Sequence, residues 1–258
     1  MSNQLKITFL GTGTSQGIPV IGCRCDVCVS DDPRDKRLRS SILVQYGKTN
    51  VVIDAGPDFR QQMLTCGIDH MDALILTHEH KDHIAGMDDV RAFNRISGDA
   101  VKVYCEERVS EVVKTEFSYA FKNFRYPGIP KFDIHLIDDK TPLVLQGEPF
   151  MPVRCMHYKL PVLGFRIRNF AYLTDLSSIP EGEISKLQHL DVLVIDALRH
   201  EEHISHYNLE QALEVVEQLK PGEAYLTHIS HGMIKHSEVL KLLPANVQPA
   251  YDGLKLIL

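Results

Sequence analysis

The 258-residue chain carries 28 Lys and Arg against 34 Asp and Glu, a formal net charge of −6, and is 44% hydrophobic and 24% charged. That composition excludes a disordered chain. The acidic balance also argues against a surface built to grip the many phosphates of a long nucleic acid, although a local basic patch stays open. No window approaches the roughly 18 apolar residues of a transmembrane helix. The opening MSNQLKITFL lacks the basic-then-apolar pattern of a signal peptide. A cytoplasmic chain, with no membrane partner and a single domain over 1–258, is therefore expected.

In chain order, Leu5 to Leu10 reads as a strand that ends in the Gly11-Thr12-Gly13 turn. Ser41 to Tyr46 and Asn50 to Asp54 read as a hairpin closed by Gly47-Lys48-Thr49. A helix is expected over 58–66. Ala73 to Thr77 is a short apolar run suited to a strand buried on both faces, and it delivers the chain to His78. Later strands are expected at 101–105, 153–156, 163–168, 170–174, 191–196, 223–227 and 254–258. The second clear helix spans 208–220: Leu209, Ala212, Leu213, Val216 and Leu219 share one face, Asn208 and Gln211 form a capping-box-like start, and Pro221-Gly222 marks the stop. Many strands with helices between them predict an α/β fold of two packed sheets with helices outside. The segment 117–132 is dense in aromatics: Phe117, Tyr119, Phe121, Phe124, Tyr126 and Phe132, with Pro127-Gly128 and Pro130. It reads as a helix with a buried face followed by a loop; the alternative is a lid or a homodimer contact.

Three segments carry chemistry. In His78-Glu79-His80-Lys81-Asp82-His83, three imidazoles and the Asp82 carboxylate sit within six residues after an apolar strand. His78 and His80 can converge on one metal, with Asp82 and His83 pointing to a second close by; Zn²⁺ and Mn²⁺ both take such mixed sets. Cys23, Cys25 and Cys28 crowd together, which in a reducing compartment points to metal rather than to disulfides, but a closed tetrahedral site needs a fourth ligand. His200, His203 and His206 cluster just before the 208–220 helix. Asp54, at a strand end, reads equally as a turn aspartate or as an acceptor that orients a ligating histidine.

The HxHxDH motif after a strand resembles the metallo-β-lactamase superfamily. Gly11-Thr12-Gly13-Thr14-Ser15, Ile53-Asp54-Ala55-Gly56, Leu173-Thr174-Asp175 and Leu226-Thr227-His228 extend the likeness over the whole chain. The resemblance implies a four-layer αββα sandwich and a dinuclear hydrolase. In it His78, His80 and His157 hold one metal, Asp82, His83 and His228 the other, and Asp175 bridges both. Within that superfamily the chain is most similar to the phosphoribosyl 1,2-cyclic phosphodiesterases of phosphonate catabolism. That likeness implies a structural zinc on Cys23, Cys25, Cys28 and His231, which would pin the N-terminal loop to the loop bearing His228. It also implies catalytic roles for Asp82 and for His206, the latter as proton donor to the leaving oxygen.

The function expected is hydrolysis of a small (cyclic) phosphodiester by two catalytic Zn or Mn ions. Three rival readings are a tRNA 3′-processing endonuclease, a protein like that of pyrroloquinoline quinone biosynthesis, and a non-catalytic zinc-binding module.

Overall fold

The computed structural model describes residues 4–122, 126 and 128–258. Phe124 and Pro127, part of the aromatic segment singled out above, lie outside the described residues. In chain order the strands are β1 (Leu5–Gly11), β2 (Ser41–Tyr46), β3 (Thr49–Ile53), β4 (Ala73–Ile75), β5 (Val101–Cys105), β6 (Phe132–Leu136) and β7 (Leu143–Leu145). They continue with β8 (Glu148–His157), β9 (Leu160–Ile167), β10 (Phe170–Leu173), β11 (Val192–Asp196), β12 (Glu223–Thr227), β13 (Val247–Pro249) and β14 (Lys255–Ile257). The helices are α1 (Phe59–Cys66), α2 (Lys81–Ile84), α3 (Arg91–Ser97), α4 (Glu107–Glu116), α5 (Leu209–Leu219) and α6 (His236–Val239). Among the described residues, no helix is long and apolar enough to cross a membrane.

The chain forms two compact units. The first comprises Met1–Gly11, Arg39–Asp138 and Gly253–Leu258, the second Thr12–Leu38 and Asp139–Asp252. The first unit holds a seven-stranded sheet in the order β14-β1-β2-β3-β4-β5-β6. Its β14–β3 part is antiparallel, with the β2–β3 hairpin pairing Tyr46 with Thr49, and β3 through β6 run parallel. The switch follows from connection length: a short turn joins β2 to β3, while α1 separates β3 from β4 and so permits a parallel return. Every residue of β3 and β4 is buried, as expected of strands covered on both faces. Leu43, Val52, Leu74, Val103, Phe59 and Val109 lie in one apolar core.

The second unit holds the sheet β13-β12-β11-β10-β9-β8-β7, parallel from β13 to β10 and antiparallel from there to β7. Helix α5 lays Leu209, Ala212, Val216 and Leu219 against its core. Both bonds of the capping box form: Gln211 N–H donates to Asn208 Oδ1 at 2.9 Å and Asn208 N–H donates to Gln211 Oε1 at 3.0 Å. Lys220 turns left-handed at φ 49° just before Pro221, so the helix ends where Pro221-Gly222 demanded.

Two readings need correction. The aromatic segment does not begin with a helix: α4 ends at Glu116 and Ser118–Phe121 is a single 3₁₀ turn. Phe117 and Phe121 both pack on Phe132 with ring centroids at 5.9 Å, while Tyr126 is exposed. Strands β6, β7 and β13 and helices α2, α3, α4 and α6 fall outside the expected elements. Helix α4 buries only Val109, Ser110 and Val113, and four β-branched residues (Val109, Val112, Val113 and Thr115) in a charged run make a weak helical signal.

A buried polar network ties the segment Thr12–Leu38 to the C-terminal end of the second unit. The Arg37 guanidinium donates to Thr12 Oγ1 at 2.8 Å and to the Ala250 carbonyl, and lies 3.4 Å from His236 Nδ1. Asp252 accepts from Thr12 Oγ1 at 2.7 Å and from Leu38 N–H at 2.6 Å. Asp35 accepts from the backbone of His236 at 2.7 Å and from Ser30 Oγ at 2.6 Å. Burial, helped by the neighbouring Arg37 and Arg34, pushes His236 down to about 4; burial pushes Asp252 up to about 6.

These two shifts act oppositely on folding. Below its unfolded value near 6.5, His236 costs stability increasingly as pH falls toward about 4, whereas Asp252 returns stability as pH falls through about 6. Replacing His236 with Gln removes the first effect and leaves the second. The melting temperature of His236→Gln relative to the wild type is therefore expected to improve steadily between pH 6.5 and 4. Thermal melts across that range test this; a constant difference would show that His236 is not held neutral by the fold.

Candidate metal-binding and catalytic site

In the first unit, β3 and β4 end side by side and deliver Asp54 and the 76–83 segment to one place. Asp54 is fully buried, with φ at 68°, in the left-handed region that aspartate tolerates better than most residues. Its carboxylate accepts from Thr77 N–H at 2.9 Å, from Thr77 Oγ1 at 2.8 Å and from His83 Nδ1 at 2.7 Å. Burial nonetheless pushes its pKa up, against the pull of His83. Because Thr77 gives its hydroxyl hydrogen to Asp54, its oxygen accepts from His78 Nδ1 at 3.0 Å. One carboxylate thus directs both rings: with Nδ1 protonated on His78 and His83, each keeps its basic lone pair on Nε2. Asp54 is accordingly an acceptor that orients histidines rather than a simple turn residue.

The ring of His78 lies 4.7 Å from that of His80, which is exposed, and 4.2 Å from that of His83; Asp82 Oδ2 is 3.3 Å from His83 Nε2. Glu79, the remaining acidic residue of the motif, is ion-paired with Arg108 on α4. Helix α2 is seated by backbone contact: Ala55 N–H donates to the His83 carbonyl at 2.8 Å and Gly86 N–H to the Ala55 carbonyl at 2.9 Å. A Cβ on Gly56 would strike the Asp82 carbonyl, and one on Gly86 the Gly56 carbonyl, so only glycine permits this approach.

In the second unit, four of the expected residues cluster with one that was not foreseen. Asp175 follows β10 and His228 follows β12, both with φ at 57° and both buried. His228 Nδ1 is 3.1 Å from Asp175 Oδ2, which also accepts from Thr174 Oγ1 at 2.6 Å. His157, the last residue of β8, donates from Nδ1 to the Ser205 carbonyl at 2.7 Å, which again leaves Nε2 as the basic nitrogen. Ligand-capable atoms of His157, Asp175 and His206 all lie within 4.8 Å of one another. The ring of His206 is 4.5 Å from that of His157 and stacks on that of His228 at 4.8 Å.

The residue missed from sequence is Asp196, which ends β11 fully buried and accepts from His206 Nδ1 at 2.7 Å and from Leu176 N–H at 2.9 Å. Its signal was the one used for Asp175, an aspartate closing an apolar strand (VLVID), and it could have been read the same way. Of the two competing histidines, His203 lies 5.2 Å from the His206 ring, and burial and the neighbouring His206 lower its pKa. His200 instead lines a groove along α5 with Leu213, Lys220 and Pro221.

The Cys23, Cys25, Cys28 and His231 ligand atoms converge within 4.8 Å, all in the second unit. His231 Nδ1 is 3.3 Å from Cys23 Sγ and 3.5 Å from Cys25 Sγ. A hydrogen bond from the Cys28 backbone, joined by His231 and Cys23, lowers the Cys25 thiol to about 6, whereas burial raises Cys28 to about 11. Three sulfurs and one imidazole nitrogen are the donor set of a closed tetrahedral zinc site. The imidazole and carboxylate donors of the other two clusters, with Nδ1 of His78, His83, His157 and His206 engaged by oxygen, likewise suit a divalent borderline cation.

A family model described as "Beta-lactamase superfamily domain" matches residues 49–229. The chain belongs to the metallo-β-lactamase superfamily and has its fold. Within it, the chain is related to the PhnP family: a crystal structure described as a new diphosphatase of that family shares 43% identity over 99% of this chain and 97% of its own, with a TM-score of 0.93. An octanoyltransferase of Porphyromonas gingivalis is 40% identical over 98% of this chain but only 52% of its own length. The chain therefore spans about half of that curated relative. Zinc-bound PqqB of Methylobacterium extorquens shares the fold at 19% identity and a TM-score of 0.79, over 97% and 99% of the two chains.

Since Asp54 orients two imidazoles, Asp54→Asn is expected to weaken metal retention roughly 10–100-fold. Titration of the metal-loaded variant with a chelator, with metal content read by elemental analysis, measures this. Retention equal to the wild type would reduce Asp54 to a purely structural residue.

Proposed function

We propose that this chain is a metal-dependent phosphodiesterase acting on a small phosphate ester, with the two units working as one hydrolase domain. His78, His80 and His157 would hold one divalent ion, Asp82, His83 and His228 a second, with Asp175 shared; Cys23, Cys25, Cys28 and His231 would hold a structural zinc. Divalent cations held this way lower the pKa of water toward neutrality and neutralise charge on the phosphoryl oxygens.

The observation that carries the reading is the Asp196–His206 pair. Asp196 fixes the His206 ring through Nδ1, and so the proton available for transfer sits on Nε2, beside His157 and Asp175. A held imidazole outside the proposed ligand set is what departure of a basic alkoxide from phosphorus requires: it gives its proton to the leaving oxygen as the P–O bond breaks. Asp82 is counted with it as catalytic: its carboxylate, 3.3 Å from His83 Nε2, would orient the attacking water. The diphosphatase of the PhnP family supports phosphate-ester chemistry over amide cleavage. The octanoyltransferase name belongs to a protein of which this chain covers about half, so it is not carried over to this chain.

Two outcomes follow. The purified chain is expected to carry three metal ions, with Asp175→Ala losing at least one catalytic ion and its activity; elemental analysis and anomalous scattering read both. Full metal content with near-normal turnover in that variant would remove Asp175 from the bridge. His206→Ala is expected to keep its metals yet lose roughly 10²–10⁴-fold in kcat on alkyl diesters, and much less on bis(4-nitrophenyl) phosphate, whose leaving group needs no proton. Equal losses on both substrates would assign His206 to binding or metal support, and a larger effect at His200 or His203 would move the acid there.

A further inference from the structure

The histidines of the 78–83 motif are held in different ways. Asp54 directs His83 by a direct hydrogen bond and His78 through Thr77. His80 is the exposed histidine of the motif and stands between two charged residues, Glu79 and Lys81. Its backbone is extended, at φ −63° and ψ 149°, and Lys81 opens α2. Both flanking charges reach the same partner element. Glu79 is ion-paired with Arg108 and Lys81 with Glu116, and Arg108 and Glu116 both belong to α4. All of these residues lie in the first unit.

Helix α4 is anchored well enough to act as a support. Val109 and Val113 are buried in the same core as Leu76 and Ile84, which flank the motif. Arg108 and Glu116 stand roughly 12 Å apart along the helix axis, and their side chains close on the two neighbours of His80. The order of charge also matches: acidic then basic in the loop, basic then acidic on the helix.

This placement runs against the stability of α4 itself. A helix favours acidic groups in its first turn and basic groups in its last. Glu107 and Lys114 obey that rule, but Arg108, the second residue, and Glu116, the last, do not. Charges set against their own helix draw their stabilisation from elsewhere, here from the loop that carries His80. The two contacts differ in weight. The Arg108 and Glu79 side chains are 32% and 16% exposed, against 61% and 42% for Lys81 and Glu116, so water screens the Arg108 contact less. Arg108 also faces Glu106 at 3.8 Å, which orients its guanidinium from the start of the helix.

We propose that α4 is a charged brace for the metal-binding loop. Arg108, and to a lesser degree Glu116, are positioning residues that fix the chain on either side of His80 and so present its imidazole to a divalent ion. This rests on the reading of His80 as a metal ligand, and the two can fail separately.

The test loads the full chain with Co²⁺ and challenges it with increasing chelator. Thiolate-to-cobalt charge-transfer absorption reports the cysteine set, and weaker d–d bands report ions on imidazole and carboxylate. Arg108→Gln is expected to lose its d–d bands at roughly tenfold lower chelator than the wild type, and Glu116→Gln at about threefold lower. The charge-transfer band should resist chelator as in the wild type in both. Glu79→Gln should match Arg108→Gln, the double variant should fare no worse than either single one because the contact can be lost only once, and Arg108→Lys should keep part of the wild-type resistance. Wild-type resistance in Arg108→Gln, additive losses in the double variant, or equal loss of both bands would overturn the brace. A wild-type chain whose cobalt spectrum shows the cysteine set alone would overturn His80 as a ligand, and the brace with it.

Discussion

Taking ionisable groups out of water at the ends of strands is the constraint on which the rest of this structure depends. Asp54, Asp175, Asp196, His78 and His228 are buried at or just beyond strand ends, and His83 is buried in the short helix α2. A buried carboxylate or imidazole without compensation costs several kcal/mol. Each of these groups is therefore met by backbone N–H donors, threonine hydroxyls or another member of the set. Three of them, Asp54, Asp175 and His228, also hold a left-handed backbone, a conformation that costs on the order of 1–3 kcal/mol for a residue other than glycine. The strain turns the chain sharply at the strand end, so that the next side chains face the site instead of continuing the alternation of the strand.

The two sheets meet this constraint by the same device. In the first unit a single aspartate orients His83 directly and His78 through Thr77. In the second, Asp196 orients His206, and Asp175 contacts His228. Parallel strands make this economical, because their ends fall side by side: β3 with β4 in one sheet, β10, β11 and β12 in the other. The antiparallel remainder of each sheet contributes fewer site residues, with His157 at the end of β8 the exception. The glycines at 56 and 86 serve the same end by letting two backbones approach closely enough to seat α2.

Much of this was legible in the sequence, for identifiable reasons. Short apolar runs bounded by a polar residue marked β3, β4, β10 and β12, the local HxHxDH spacing drew notice to His78, and the resemblance to the metallo-β-lactamase superfamily singled out Asp175 and His228 at two of the strand ends. The α5 boundaries were clear because a capping box and a Pro-Gly stop are local signals that tertiary context seldom overrides. The cysteine spacing pointed to a metal site, and the structure brings His231 to it. What escaped was of two kinds. Asp196 carried the same signal as Asp175 but was absorbed into a strand, since nothing local distinguishes a carboxylate that orients a histidine from one that caps a turn. The Arg37–Asp252–His236 network joins residues about 200 positions apart, and no periodicity or motif encodes such a contact. Helix α4 and the short edge strands β6 and β7 were weak in pattern because they bury few side chains.

His228 and His231 stand three residues apart yet belong to different clusters, one against Asp175 and Thr14, the other against Cys23 and Cys25. The backbone between them is held at Ile229 by the Thr12 carbonyl and at Ser230 by the Leu198 carbonyl. A stretch fixed at both ends and in the middle has no slack to take up an added or missing residue. The spacing of this tetrad acts as a ruler: one residue inserted between His228 and His231 would throw either the His228 cluster or the cysteine cluster out of register, because the backbone between them is fixed at Ile229 and Ser230.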